Sequence, residues 1–530
     1  MKRSFADIMA GLDSERAQKV ARKLPAWAAV DADRRAAGLD PLEFPSALSL
    51  EQCSSSATAA YKANLAVSGG TEAGTAPGNR ATLGIVRGRG PSSGGRGPAQ
   101  PDVSGGSCPL REVETSFGFA PAPPVPAKTA GDETIAADVP LGTVLDLTGG
   151  LGVDSWAFAQ VAERVVYFER SEELAAAAGR NFQRLGAGNI DVRCETVTPQ
   201  TELSEADLIY ADPARRDAAG RKVFLLEDCT PDILTLLPLL LRKAPAVLVK
   251  LSPMADLAML AERLGPALRE IHVVECDGEV KELLCLLLRD NPSPEPDIVL
   301  ARLTASRGGS SPLQNFALRA HPSQPGGWAP PVHEATGGHG FAGATSPDVQ
   351  QRDGLRFRMS EERGAEAVHA AGVQPGDVLL EPCPALLKAG AFRLPCARWS
   401  LRKLAPSTHL YLAPTDVASS SSEAKSAPAD RPAPGLCASK VGKGFMAAGG
   451  FGGYAPVFKA WRVREVLPLG AAAFKTLRKS YPRADVTARN LPLGSAELQK
   501  RLGVASGGDV HIFGCRLADG SSVLLVTAGE

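Results

Sequence analysis

No C-x-x-C pair occurs among the ten cysteines of this 530-residue chain, and its seven histidines show no ligand spacing. That argues against a structural zinc site and against a disulfide framework, so the thiols are expected to be reduced and mostly in the core. Long apolar runs are missing too. The longest, "ILTLLPLLL" from Ile233, is broken by Pro238 and falls far short of the ~20 residues a membrane-spanning helix needs. The stretch "MKRSFADIMAGLDSERAQKV" has neither a long apolar core nor a small-residue cleavage site, so no secretory signal or transit peptide is expected. A cytoplasmic address is the default, with nuclear or organellar addresses compatible with it. Net charge is absent as well, with 58 Lys and Arg against 58 Asp and Glu. Any contact with nucleic acid therefore has to come from local patches.

What is present falls into blocks. Three stretches rich in Gly, Ser, Pro and Arg, at 68–111, 306–352 and 418–450, cannot bury enough apolar surface to order themselves and read as insertions or linkers. Between the first two lies a regular alternation of strand and helix patterns: "TVLDLTG", "VDSWAFAQVAE", "RVVYFER", "SEELAAAAGRNFQRLG", "NIDVRCE", "DLIYADP", "CTPDILTLLPLLLRKAP", "AVLVKLSP" and "MADLAMLAERLG". In the seventh of these, Thr230 is expected to cap a helix with Pro231 in its first turn. "REIHVVECDG" and "KELLCLLLRD" follow as two strands joined by an Asp-Gly turn, which favours an antiparallel hairpin. Strands alternating with helices predict a doubly wound, Rossmann-like α/β sheet with its ligand at the carboxyl ends of the strands. An antiparallel last pair is the arrangement of class I methyltransferases.

The turn after the first strand, "VLDLTGGLGVDS", carries the chemistry. Gly149, Gly150 and Gly152 let the chain turn sharply and are expected to leave backbone N–H groups open to a nucleoside-bearing cofactor. Asp146 can orient the turn or accept from an ammonium group. Glu169, at the tip of "YFER", comes 23 residues later, close to the ~20 expected for a carboxylate that takes two ribose hydroxyls. NAD and S-adenosyl-L-methionine both meet that description. The dinucleotide fingerprint, however, wants Gly or Ala where Ser155 stands, and Asp154 sets a negative charge at the helix N-terminus where two phosphates would sit. The zwitterionic methyl donor fits better, and NAD stays the alternative.

Downstream, "YADPARRD" ends the fourth strand with Asp212 and Pro213, whose carboxylate and carbonyl can orient a target amine or take its proton. Arg215 and Arg216 suit a phosphate or an anionic base edge, or else a surface ion pair with Asp217. Lys250 ends the fifth strand on the same edge. Covalent catalysis by Cys229 or Cys276 is the weaker route, because most free cysteines are simply buried. Towards the C-terminus, Lys475, Arg478 and Lys479 share a helix face beside Tyr481 and could track a phosphate backbone.

In that order and spacing, "DLTGGLGVDS", "YFER", "LIYADPARRD", "DCTPDIL" and "VKLSPMAD" resemble a family of class I S-adenosylmethionine-dependent methyltransferases that carry a THUMP-like C-terminal domain. "LPAWAAVD" with "LSLEQCSSSATAAYKANLA" looks like the family's N-terminal helical extension, "LEPCPALLKAGAFR" and "LAPSTHLYLAPTD" like its ferredoxin-like module, and "WRVREVLPL" with the stretch from Ala484 like its THUMP-like end. The resemblance implies a helical extension at 1–67, a methyltransferase domain at 112–305, a ferredoxin-like module at 353–417 and a THUMP-like domain at 451–530. It also implies RNA as methyl acceptor, tRNA most readily. Carried over position by position, the cofactor would contact Asp146, Thr148, Gly149, Gly150, Gly152 and Glu169. Two departures stand out. Thr148 occupies the place of a first glycine, and Glu195 stands where a shorter acid commonly meets the adenine amino group. Asp212, Pro213 and Arg215 would act on the acceptor, and Arg216, Lys250, Lys475, Arg478 and Lys479 would hold it, with no metal. Asp212-Pro213-Ala214-Arg215 lacks the aromatic ring that stacks on a flipped base in many amino methyltransferases. A catalytically inactive RNA-binding or scaffold protein that retains the fold is therefore the alternative, and a small-molecule methyltransferase a weaker third.

Overall fold

The structure, a computed structural model, describes residues 5–13, 20, 22–67, 141–214, 226–227, 229–303, 355–414 and 457–529. The three spacer stretches lie outside the described residues.

Runs such as "TVLDL", "VVYF" and "AVLVKL" are apolar at successive positions, so strands built from them are buried on both faces. They form β1 (Leu141–Asp146), β2 (Ala162–Phe168), β4 (Leu208–Ala211) and β5 (Ala246–Leu251), which with the largely exposed edge strand β3 (Ile190–Arg193) are all parallel, in the order β3-β2-β1-β4-β5. The next two strands, β6 (Leu268–Cys276) and β7 (Glu279–Leu288), make the hairpin expected from the sequence. Asp277 and Gly278 form its two-residue turn with φ of 53° and 80°, the positive values that Asp-Gly tolerates best. β7 inserts between β5 and β6, antiparallel to both. The sheet then continues through β8 (Asp297–Leu303), parallel to β6, to a short edge strand, β9 (Arg356–Arg358), antiparallel to β8. Nine strands result, in a mixed sheet dominated by parallel pairs.

Helices cover both faces. On one face Ile233, Leu236 and Leu240 of helix Ile233–Lys243 and Leu257, Leu260 and Leu264 of helix Leu257–Leu264 pack on Ile209, Val247 and Val249. The first of these helices differs from expectation at its start. Asp232, not Thr230, is the cap, accepting from Leu234 N at 3.0 Å and Thr235 N at 3.3 Å. Thr230 instead bridges to Ala214, with backbone bonds of 2.8 and 3.0 Å. An acid placed one residue before the apolar run outcompetes a threonine three residues before it, because only the former reaches the free N–H groups of the first turn.

The opposite face is shared between helices Val153–Ala159 and Glu172–Arg184 and the N-terminal helices. Trp27, Phe44 and Tyr61 join Trp156, Phe158, Phe182 and Tyr210 in one core. Polar contacts fix the seam. Asn181 is fully buried, accepts from Glu43 N and donates to Glu43 O, both at 2.8 Å. The Glu43 carboxylate meets Arg180 and Arg184 at 2.6 and 3.0 Å. Burial alone would raise its pKa, but the two guanidinium groups bring it down to about 2.

A second sheet of seven strands follows: β10 (Val378–Pro382), β11 (Arg402–Ala405), β12 (Thr408–Leu412), β13 (Phe458–Pro468), β14 (Asp485–Arg489), β15 (Val510–Arg516) and β16 (Ser522–Gly529), in the order β11-β12-β10-β13-β16-β15-β14. Helices Ala471–Ser480 and Ser495–Leu502 pack on one of its faces through Leu477, Leu498 and Leu502. Val378, Leu380 and Phe458 belong to the same core cluster as the helices on β4 and β5, so the two sheets are joined by apolar packing. No helix of the described residues is long and apolar enough to cross a membrane.

The seam at Asn181 is testable. Asn181→Ala strands a buried N–H and a buried C=O of Glu43 and is expected to cost about 2–4 kcal/mol, read as a lower urea midpoint in equilibrium unfolding.

Candidate active site

β1, β4 and β5 end side by side, and the turn after β1 is folded back over them by its own hydrogen bonds. Leu147 N donates to Tyr210 O at 3.0 Å, Thr148 N to Asp146 Oδ1 at 3.1 Å, Gly149 N to Phe168 O at 2.7 Å and Gly152 N to Gly149 O at 2.8 Å. Ser155 Oγ donates to the other Asp146 oxygen at 2.5 Å. Asp146 therefore faces inward and orients the turn. It is 1% exposed, and burial, only partly offset by those two donors, raises its pKa to about 7.

The three glycines divide by function. A Cβ on Gly149 would lie 2.0 Å from the Tyr167 ring, and one on Gly152 2.3 Å from the Phe182 ring. Both are glycine because aromatic rings of the neighbouring core press against the loop. Gly150, at φ 55°, has nothing nearer to such a Cβ than Thr148 O at 3.9 Å. It is the loop's open position. The expectation of bared N–H groups is corrected here: those of Gly149 and Gly152 are spent on backbone carbonyls, and that of Gly150 donates to Glu169 Oε2 at 3.0 Å. Glu169 also accepts from Ser171 N through Oε1 at 2.8 Å, and its own carbonyl accepts from Glu195 N at 3.1 Å. Glu169 and the exposed Glu195 thus share one ledge at the tips of β2 and β3.

Thr148 ties the two informative motifs together, its hydroxyl accepting from Asp212 N at 2.6 Å. The Asp212 carboxylate, 37% exposed, pairs with Lys250 Nζ at 2.5 Å, and Pro213 behind it is buried. Burial would lower the Lys250 pKa, but the carboxylates of Asp212, Glu282 and Asp154 raise it above its ordinary value. Arg215 and Arg216 lie outside the described residues.

Beneath this pair sits a polar cluster that motif reading did not find. Lys62, 0% exposed, reaches Asp154 Oδ1 at 2.9 Å, Ser54 Oγ at 2.7 Å and Glu282 Oε1 at 3.3 Å. Ser54 and Tyr210 hydroxyls donate to Asp154 Oδ2 at 2.7 and 2.9 Å. Asp154 is thus internally compensated, so its charge no longer argues against a pyrophosphate at this helix start. The one available signal was a lysine set among the small and apolar residues of "SATAAYKANLAV".

The C-terminal basic face is smaller than expected. Lys475 and Lys479 are exposed, but Arg478 donates to Leu502 O at 3.0 Å and Arg501 O at 3.2 Å, satisfying the last carbonyls of the neighbouring helix. The Tyr481 hydroxyl is bonded to Glu465. Cys229 and Cys276 are both buried, and burial pushes the Cys276 thiol up to about 11, away from nucleophilic use. Among the described residues no cluster of three or more His, Cys, Asp or Glu side chains could hold a metal ion.

Comparison with known proteins places these features in company. Residues 379–419 match a family model described as a ferredoxin-like domain, and residues 458–528 one described as THUMP domain-like. A solved structure of a "putative methyltransferase" from Porphyromonas gingivalis W83 is similar at 25% identity with a TM-score of 0.57, covering 99% of this chain and 94% of that one. An rRNA methylase from Streptococcus thermophilus (14% identity, TM-score 0.22, 28% of this chain and 87% of that one) and a SAM-dependent methyltransferase from Agrobacterium tumefaciens (24%, 0.24, 29% and 57%) are also similar. At those scores the last two carry no weight. Comparison with curated proteins finds no match.

Two predictions follow from the turn. Gly152→Ala combines a positive φ with a ring contact and is expected to cost about 2–5 kcal/mol, against ~1–2 kcal/mol for Gly150→Ala, which meets only the backbone penalty; chemical denaturation of the two variants checks the difference. Asp146 holds its proton in the folded chain up to about pH 7 and gives it up in the unfolded chain near 3.8. Its stabilising contribution is complete below the lower value and is lost as pH rises through the higher one. Asp146→Asn should therefore gain thermal stability relative to the unsubstituted protein as pH rises across that window.

Proposed function

We propose that this protein is an S-adenosylmethionine-dependent methyltransferase that acts on a base in RNA, with tRNA the favoured acceptor. The observation that carries the reading is the sheet itself: the order β3-β2-β1-β4-β5-β7-β6 with β7 reversed, and a glycine turn after β1 gripped by a carboxylate from the end of β2. The full-length likeness to the Porphyromonas gingivalis protein and the THUMP-like match at residues 458–528 support the two halves of the reading.

The residues fit such a donor. A carboxylate offers about four lone-pair sites. Glu169 spends one per oxygen on Gly150 N and Ser171 N, leaving capacity for two ribose hydroxyls. Gly150 presents bare backbone with no side chain to fill the space beside it. Asp146 and Thr148 hold the turn, Gly149 and Gly152 make room for the rings behind it, and Glu195, next to Glu169, would meet the adenine amino group. The bound donor supplies a sulfonium-activated methyl group, so orientation and proximity are what the protein has to add. Lys250 takes one oxygen of Asp212. The other, with the Pro213 carbonyl, would orient the acceptor and receive its proton. Arg215, Arg216, Lys475 and Lys479 would contact RNA phosphates, while Arg478 would act by holding its helix pair together. Arg215, standing in the sequence where the fourth residue of an amino methyltransferase motif would put an aromatic ring on a flipped base, favours the second reading, a non-catalytic RNA-binding protein that keeps the fold.

Calorimetric titration with S-adenosylmethionine and, separately, NAD tests the proposal. Saturable binding of the methyl donor alone is expected, weakened roughly tenfold by Glu169→Ala, the worth of one charge-assisted contact. Binding of neither ligand by folded protein would leave the RNA-binding reading.

A further inference from the structure

The charged groups under the carboxyl edge come from five places in the chain. Lys62 is on the N-terminal helix Ser56–Val67, Asp154 on the helix after the glycine turn, Asp212 after β4, Lys250 on β5 and Glu282 on β7. Exposure of the side chains rises from 0% at Lys62 through 15% at Lys250 to 37% at Asp212. The cluster is therefore buried at its N-terminal end and open where an acceptor would sit. It holds three carboxylates and two ammonium groups, with Ser54 and Tyr210 as neutral donors and Asp146 nearby. Lys62 contacts Asp154 and Glu282 directly, and Lys250 contacts Asp212. Lys250 is also close enough for its charge to act on Asp154 and Glu282.

We infer that Lys62 is a positioning residue of this site: its ammonium balances Asp154 and Glu282 and so leaves Lys250 to hold Asp212. A buried charge that loses its partner is costly, far more so than a half-exposed one. Without Lys62, two buried carboxylates face one lysine, and the cheaper arrangement turns Lys250 inward and frees Asp212. The N-terminal helix is in that sense part of the site wall, although it carries no residue that touches the acceptor. Glu282 is the natural counterweight. Burial raises its pKa, and Lys62 and Lys250 offset that only in part, so neutralising it together with Asp154 should relieve the loss of Lys62.

The inference rests on the reading of Asp212 as the group that orients the acceptor, and the test separates the two. In full-length protein, Asp212→Asn is expected to lower the unfolding temperature in the unsubstituted chain but not in a Lys62→Met background, where Lys250 has already left. Equal losses in both backgrounds would overturn the inference. If Lys62→Met does not fold, the same cycle is run in Lys62→Met/Asp154→Asn/Glu282→Gln, where no buried carboxylate competes for Lys250, so Lys250 returns to Asp212 and the Asp212→Asn loss reappears; its absence there would count against the inference. Methyl transfer from labelled S-adenosylmethionine to bulk tRNA gives the second readout. Lys62→Met should reduce transfer about tenfold with donor affinity unchanged, and Lys62→Met/Asp154→Asn/Glu282→Gln should restore most of it, a compensation that a purely structural lysine would not show. A transfer loss that is merely additive in the triple variant overturns the inference. No transfer by any protein, with the stability cycle intact, overturns the methyltransferase reading and leaves the coupling of Lys62 to Asp212 standing.

Discussion

A carboxylate buried at the start of a helix, below a turn whose glycine N–H groups are already bonded, must find a cation or give up its charge. Asp154 finds Lys62, 92 residues earlier in the chain. Burial would raise the Asp154 pKa, and the charges of Lys62 and Lys250 with the Ser54 hydroxyl bring it below its ordinary value instead. Around that pair the rest is arranged: helix Ser56–Val67 lies against helix Val153–Ala159, Tyr61 reaches across to His272 on β6 at 2.7 Å, and Tyr210 is pinned at the end of β4. The N-terminal helical segment is thereby held to the sheet by ionic and hydrogen-bonded as well as apolar contacts.

Much of the sheet was legible because its signals are local. Apolar runs of four to seven residues between glycine, proline and acidic breaks mark β1, β2, β4 and β5, and the Asp277-Gly278 turn announces the reversed pair. The placement of Glu169 at the end of β2, beside the turn, was legible from its spacing to Asp146. What the spacing could not tell is that Glu169 grips Gly150 N, or that Gly149 and Gly152 answer to the rings of Tyr167 and Phe182. Those constraints arise from contacts across the fold. The same holds for Arg478, whose helical spacing puts it beside Lys475 but whose guanidinium is drawn to the carbonyls of a helix a turn away. Lys62 was beyond reach in a stronger sense, since nothing in its own segment says which carboxylates it will meet.

The two family-model matches, ferredoxin-like and THUMP domain-like, are not separate bodies joined by a tether. β10 pairs with β13 over five residues, Val378 to Pro382 against Arg462 to Phe458, so one seven-stranded sheet runs through both. Trp461 Nε1 donates to Glu381 at 3.1 Å, and Arg489 reaches the same carboxylate at 3.2 Å, adding side-chain ties across that junction. The THUMP-like end is thus tied by backbone hydrogen bonds to β10 and, through the shared apolar core at Val378, Leu380 and Phe458, to the first sheet.

β8 and β9 are neighbours on the sheet edge, Val299 facing Arg356, yet more than fifty residues of chain separate the end of one from the start of the other. The entropic cost of closing a connection grows with the logarithm of its length, so a tenfold longer link costs only ~2 kcal/mol more. Such a junction is a point at which a lineage can lengthen, shorten or rewrite the intervening chain while the register on either side stays put. Change in spacer length is in this way uncoupled from the geometry at the carboxyl ends of β1, β4 and β5, which lie on the same edge of the sheet but several strands away.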